Sequence, residues 1–516
     1  MPRPPIASDQ FGRAHWAALA FATVVAAALR LLHLGEWSLW IDEAHTWRDA
    51  NMPLAGPAGY LHSDRVFYPI APLLLRVIGR LGWTALDEAS MRLPFALLGI
   101  ATVPLLASCG RRLVGPWPAV LAAWLLAVNP WHVFWSQNVR GYVLVMLATV
   151  VAANRAHAWL QSDRPFDLIA AAAAVGLGCL SHPSAGLIVA GFAAFLVLRH
   201  TSSAPSSLRV LGFAALLSVL LVGVPWWLRE YSPFQDFLRS KDDPSVVHFV
   251  QTTAYYFRPT LLLLGALALL TAGPRLGRDR TLLLGCLWLA PFVALAAVSA
   301  QLAKVTARYA ICTLPVLTWL AALAAAEIAR IVAAGGPAVL TRSGRLAVAA
   351  VLPLFAFGDF AQLDVKYYGV QHGQRARWRE AAEFVRQRAG GRGVQVLTIN
   401  EPTMLYYLRP EHWSKDGNQH PGIEVVVLLR WSIDDERKEA VAAGISPAEA
   451  YLQKQRKRAE TDRALLALVV TQPELVEIDS DGAFAAVLAR DFELAQYLPC
   501  WVGPKDESVY VYLPRP

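Results

Sequence analysis

The chain has 516 residues, 55% of them hydrophobic and only 17% charged, with a mean hydropathy of +0.38, a balance too apolar for a soluble globular protein of this length. Its formal net charge of +8 does not mark a nucleic-acid binder, because the Lys and Arg fall in short clusters between apolar runs and form no basic stripe. The five cysteines are scattered singly with no CxxC spacing, which argues against a disulfide framework or a zinc site.

Apolar runs close to the ~20 residues that a bilayer demands follow one another at 15–34, 93–110, 117–135, 142–160, 167–181, 184–198, 209–228, 257–273, 281–299, 309–332 and 345–360. They predict an α-helical polytopic membrane protein with about eleven spans. The first run follows Arg3 and Arg13 as a signal peptide would, but it is long enough to cross and other spans follow, so it reads as an uncleaved helix. The stretch YPIAPLLLRVIGRLGW from Tyr68 is interrupted by Arg76 and Arg80 and is short for a span. It is placed as a juxtamembrane or partly inserted helix.

Short connections rich in Lys and Arg mark the cytoplasmic side. With a cytoplasmic N-terminus, Arg111, Arg112, Arg155, Arg164, Arg199, Arg209, Arg275, Arg278, Arg280, Arg342 and Arg345 all fall inside. Residues 36–92, 136–141, 229–256 and 300–308 then face outside, as does everything after about 361. That tail changes character. RARWREAAEFVRQRA has a helical period, and strand-like runs follow in GVQVLT, GIEVVVLLRW, ALLALVV and ESVYVYLP. The expected organisation is a transmembrane domain over 1–360, carrying the outer loop 36–92, and an extracytoplasmic α/β domain over 361–516.

Three groups of residues stand out on the outer side. Asp42 and Glu43 lie among Trp37, Trp40, Ile41 and Trp47 directly after the first span, where a charged pair pays desolvation unless it has partners or a task. A carboxylate there is placed to take a proton from a hydroxyl, and the spacing equally admits a solvated pair at a helix start. Arg140 in SQNVRGY, and Lys304 with Arg308 in AKVTARYAI, stand just before Tyr142 and Tyr309. Such cations either snorkel at helix ends or receive an anionic phosphate. His182 in the turn CLSHPSAGL is a turn residue or a substrate contact, His62 and Asp64 in YLHSDRVFYP are candidates to join Asp42, and Arg92 marks the interface or pairs with Glu88.

No Walker A, GxGxxG, HExxH or GxSxG pattern occurs in a suitable place, so nucleotide and serine-hydrolase chemistry lose their usual support. The span centres are almost free of ionisable residues, whereas ion-coupled transporters hold such groups near the midplane.

The ordered series LWIDEAHT, YPIAPLLLRVIGRLGW, RLPFALLGIATV, NPWHVFWSQNVRGY and ARYAICTLPVL resembles the C-class polytopic glycosyltransferases, specifically family 39, the protein mannosyltransferase and aminoarabinose transferase branch. The resemblance covers residues 15 to 330. It implies an inverting transferase that takes a sugar from a polyprenyl-phosphate donor at the outer face of the cytoplasmic membrane. The acceptor, whether protein, lipid or glycan, is not implied. In that family the acidic residue after the first span is the catalytic carboxylate, which matches Asp42 here, with Glu43 beside it. Arg140 with Tyr142 and Arg308 with Tyr309 match the elements near the donor phosphate.

Two departures qualify the match. Relatives carry His-Pro-Pro or Lys-Pro before the juxtamembrane helix where this chain has Phe67, Tyr68, Pro69 and Ile70. That leaves a phosphate contact there unassigned, with Lys304 a replacement candidate. No second acid lies in the SQNVRGY loop, so a two-carboxylate site would draw on Glu43 or Asp64. The residues neither require a divalent metal nor exclude one. Membrane lipids are the surrounding partners and no nucleic acid is expected. Two competing readings remain, a lipid or polysaccharide transporter without covalent chemistry and an assembly subunit whose tail binds a partner.

Overall fold

The structure, a computed structural model, describes residues 10–56, 59–63, 66–82, 86–201, 215–216, 218–230, 243–335, 342–409, 422–479, 482–502 and 505–516. The chain divides into two compact units that do not follow chain order. One comprises Met1–Leu32, Phe67–Ile70 and Phe95–Leu363, and the other His33–Val66, Ala71–Pro94 and Asp364–Pro516.

Among the described residues, six helices are long and apolar enough to cross a membrane: Arg13–Leu31, Glu88–Val114, Tyr142–Ser162, Pro183–Thr201, Arg278–Gln301 and Ala307–Val332. Two bent pairs, Pro116–Ala127 with Pro130–Ser136 at 63° and Val246–Phe257 with Pro259–Thr271 at 89°, give up to eight if each pair is counted as one span. The protein is a multi-pass membrane protein. Of the other runs expected to cross, 167–181 is the shorter helix Pro165–Ser181, 209–228 lies partly outside the described residues, and 345–360 falls within the helix Arg342–Gly369. The stretch after Tyr68 forms the 11-residue helix Ile70–Arg80, which at ~1.5 Å per residue is far too short to span.

Each break in the first unit has a local cause. After Ala127 the chain turns, and Pro130 restarts the helix at a position where its missing N–H costs nothing. The Asn129 side chain accepts the His132 N–H at 3.0 Å as the new cap. The freed carbonyls of Leu126 and Ala127 accept from the buried Arg30 guanidinium at 3.1 and 2.8 Å, and Arg30 also meets His132 Nδ1 at 2.6 Å. The second break is at Arg258, which adopts φ +57 before Pro259 and whose guanidinium grips Asp359 through two bonds of 2.8 and 2.6 Å.

The second unit contains the sheet domain. Its strands are β1 (Gly393–Thr398), β2 (Ile423–Val427), β3 (Ala464–Thr471), β4 (Phe492–Leu498), β5 (Trp501–Val502), β6 (Lys505–Asp506) and β7 (Val509–Pro514). The main sheet runs β2-β1-β3-β7-β4, with β2, β1 and β3 parallel and β7 antiparallel to both its neighbours; β5 and β6 form a separate hairpin. Leu397, Leu466, Leu468 and Val470 of the strands pack with Tyr451, Leu452, Phe484 and Leu488 of two covering helices. The four strand-like runs read from the sequence are β1, β2, β3 and β7. The edge strand β4 escaped that reading because a bulge between Leu494 and Gln496 breaks its alternation.

Candidate active site

In the second unit, the helix Ile41–Asn51 begins at Trp40, whose N–H donates to the Glu43 carboxylate at 3.0 Å. Asp42 is half-buried in the first turn, and its backbone carbonyl accepts from Thr46 Oγ1 at 3.0 Å. Glu43 is wholly enclosed. Arg92 meets it with a fork, Nε and Nη2 each at 2.8 Å, and Arg375 donates from Nε at 3.1 Å. The side chains of Glu43 and Arg375 are both 0% exposed. Burial alone would raise the Glu43 pKa, but the Coulombic pull and hydrogen bonds of the arginines outweigh it and hold the pKa at about 2.

The fork of Arg92 therefore goes to Glu43 rather than to Glu88, and its remaining donors reach the carbonyls of Leu34, Trp37 and Ser38 at 3.0, 3.0 and 2.9 Å. Glu88 instead accepts from Arg379 at 2.6 Å, Tyr407 at 2.9 Å and Tyr406 at 3.2 Å. Four protein donors on its carboxylate tie Glu43, and with it the turn that carries Asp42, to Trp40, Arg92 and Arg375.

In the first unit, the expected cationic elements come together. A Cβ on Gly141 would collide with the Ser181 carbonyl, so only glycine lets the start of the Tyr142 helix close onto the 181–184 turn. Tyr142 then lies against the His182 ring with centroids 4.0 Å apart. His182 Nδ1 accepts the Ser184 N–H at 3.2 Å, which in the neutral ring leaves the proton on Nε2. Tyr68 and Tyr309 approach the same imidazole, each with ring centroids 6.2 Å away. Arg140 sits 5.6 Å over Tyr68, and Arg308 sits 5.1 Å over Tyr309 and donates to its hydroxyl at 3.2 Å.

Neighbouring elements fix this group from behind. Thr252 Oγ1 accepts the Ala307 N–H at 3.0 Å and so sets the turn that carries Arg308. A run of rings backs the group, Trp135 against Tyr142 at 3.9 Å and Trp131 against Tyr256 at 4.0 Å. Two guanidinium groups on an aromatic wall suit an anionic head group joined to an apolar chain.

Lys304 is half-buried in the connection before Ala307, and His62 is exposed in the 3-10 turn Tyr60–His62. Asp64 lies outside the described residues. Sequence reasoning did not single out Arg375, Arg379, Tyr406 or Tyr407. No local pattern announces them, since Arg375 is one of several arginines in RARWRE and its partner is 332 residues away. Trp131, Trp135 and Tyr256 were not singled out either. Among the described residues there is no group of three or more His, Cys, Asp or Glu able to hold a metal ion.

This architecture has the fold of the C-class glycosyltransferases. It superposes on ArnT from Cupriavidus metallidurans bound to undecaprenyl phosphate with a TM-score of 0.56 at 16% identity, over 97% of this chain and 98% of that one. The Archaeoglobus fulgidus oligosaccharyltransferase in the apo form gives 0.54 at 14% identity, over 88% of this chain and 69% of that one. The same enzyme tethered to an acceptor peptide containing the NVT sequon gives 0.54 at 14%, over 96% and 74%. Residues 68–228 match the family model described as dolichyl-phosphate-mannose-protein mannosyltransferase, a segment that includes Tyr68, Arg140, Tyr142 and His182 and leaves out Asp42 and Arg308. The chain thus resembles family 39 in sequence as well as in fold. No curated protein sequence matches it.

Proposed function

We propose that this protein is an inverting glycosyltransferase that moves a sugar from a polyprenyl-phosphate carrier to an acceptor hydroxyl at the outer face of the cytoplasmic membrane. The observation that carries the reading is the convergence of Arg140, Tyr142, His182, Arg308 and Tyr309, from three separate segments, into one cationic group on aromatic walls. The undecaprenyl phosphate in the ArnT complex is a ligand of the chemistry such a group suits.

The reaction is a single displacement. The acceptor oxygen attacks the anomeric carbon, its proton passes to the Asp42 carboxylate, and the carrier phosphate leaves from the opposite face with inversion. An ordinary Asp, with pKa about 3.9, is ionised at neutral pH and needs no special activation to act as a base. The leaving phosphate gains negative charge in the transition state, so Arg140 and Arg308 act mainly by stabilising that charge, and Lys304 is a further candidate for the role.

One observation favours a transporter instead. Two spans are broken, and broken helices line the binding sites of many transporters. At the first break, however, the exposed carbonyls are already taken by Arg30. The test is sugar transfer by purified protein in proteoliposomes from a panel of radiolabelled polyprenyl-phosphate sugars, with wild type compared with Asp42→Asn at equal folded yield. Transfer or slow donor hydrolysis that vanishes in the variant while donor binding persists supports the reading. A variant equal to wild type, or a wild type that binds no donor, overturns it.

A further inference from the structure

Besides Arg92, one distant stretch of the same unit holds the turn that carries Asp42. Arg375 reaches Glu43, Arg379 N–H donates to Ser38 Oγ at 3.1 Å, and the Arg379 guanidinium donates to the carbonyls of Gly35 and Glu36, each at 2.9 Å. The Leu39 N–H donates to the Tyr407 hydroxyl at 2.6 Å. Further along, Trp47 stands edge-on to Tyr406 at 5.2 Å and beneath Arg409, also at 5.2 Å, and Arg48 pairs with Glu401 at 3.0 Å. Gly373, with φ +61, lies so close to the Trp37 indole that no Cβ would fit.

We infer that the segment Gly373–Arg409 is the positioning element for Asp42, with Arg375 its central positioning residue acting through Glu43; this rests on Asp42 being the catalytic carboxylate. Arg92 already meets both carboxylate oxygens of Glu43, so a second guanidinium is not needed merely to give that carboxylate a partner. What Arg375 adds is direction. Its bond to Oε2 comes from a different element than the Arg92 fork, so the carboxylate plane and with it the first turn of the Asp42 helix have one orientation. Catalytic groups need that degree of fixing, since a displacement of about 1 Å can cost roughly a hundredfold in rate. The tail domain is thus part of the reaction machinery and not a cover over it.

The test uses the full chain in nanodiscs with two readouts, amide hydrogen exchange of the peptide spanning 36–51 and the kinetics of sugar transfer. Arg375→Met is expected to speed exchange in that peptide about tenfold and to lower kcat about a hundredfold with donor KM nearly unchanged. Arg375→Lys, which keeps the charge and loses the guanidinium Nε–H donor to Glu43, is expected to recover part of both. Arg490→Gln, on the exposed face of the sheet domain, serves as the unaffected control. Should Arg375→Met fail to fold, Tyr407→Phe tests the same element through Leu39. Unchanged exchange at 36–51 in a folded variant overturns the inference, as does a loss of activity that merely tracks folded yield. Faster exchange alongside a wild type that transfers no sugar would instead remove the catalytic reading of Asp42 and, with it, the positioning role, while leaving the clamp itself in place.

Discussion

Glu43 and Asp42 are neighbours in sequence with opposite surroundings, and the difference has a measurable signature. Because the folded pKa of Glu43 is lowered from 4.5 to about 2, its ion pairs stabilise the fold fully above the unfolded value, and that stability drains away as pH falls from about 4.5 towards 2. Glu43→Gln leaves two buried guanidinium groups short of a counter-charge, so it is expected to lower stability at pH 7 by about 3 kcal/mol. The gap to wild type should narrow below about pH 4.5, which apparent Tm at a fixed scan rate across pH 7 to 3 would report. Arg140→Gln and Arg308→Gln should behave differently, with little effect on Tm and about a hundredfold loss in kcat. Their donor KM should change less than kcat, because the phosphate charge they are proposed to stabilise develops in the transition state.

Elements explain why those residues meet. Gly141 is the clearest case, since its lack of a side chain lets the helix from Tyr142 touch the turn at Ser181. Gly141→Ala should push the two apart, weaken the contact of Tyr142 with His182 and lower both Tm and transfer. A fluorescence or melting assay together with turnover checks this, and an alanine variant indistinguishable from wild type would contradict the packing. The motif around Arg140 was legible because its residues are contiguous and sit between two spans. The breaks in the spans were not, because an apolar run reports composition and says nothing of direction. Pro130 and Pro259 offered the available hint, each the first residue of a helix that restarts. Least legible was the anchoring of Glu43, whose partner at position 375 has no signal of its own among neighbouring arginines.

For the molecule as a whole, the alternation of basic connections makes a topological prediction. With the cytoplasmic N-terminus read from those connections, a cysteine introduced at Val441 of the tail should react with an impermeant maleimide in intact spheroplasts. One introduced at Arg112 should react only after permeabilisation. The reverse pattern would invert the assignment of sides and remove the outer face as the place of reaction. The apolar core of the sheet domain and the helical character of the first unit were both readable from hydrophobic period. The grouping of His33–Val66 and Ala71–Pro94 with Asp364–Pro516 was not, because it is long-range in sequence and rests on hydrogen bonds, ion pairs and ring contacts that leave no local pattern.

That grouping also sets a clock on biogenesis. Glu43 and Arg375 are separated by 332 positions, which a ribosome working at roughly 5–20 residues per second covers in about twenty seconds to a minute. During that interval Arg92, only 49 positions after Glu43, can already neutralise the carboxylate, so the nascent loop does not leave it an orphan charge. The Asp42 turn reaches its final orientation only once the last stretch has been made and has folded, and a truncated chain stalled before Arg375 would insert yet stay inert.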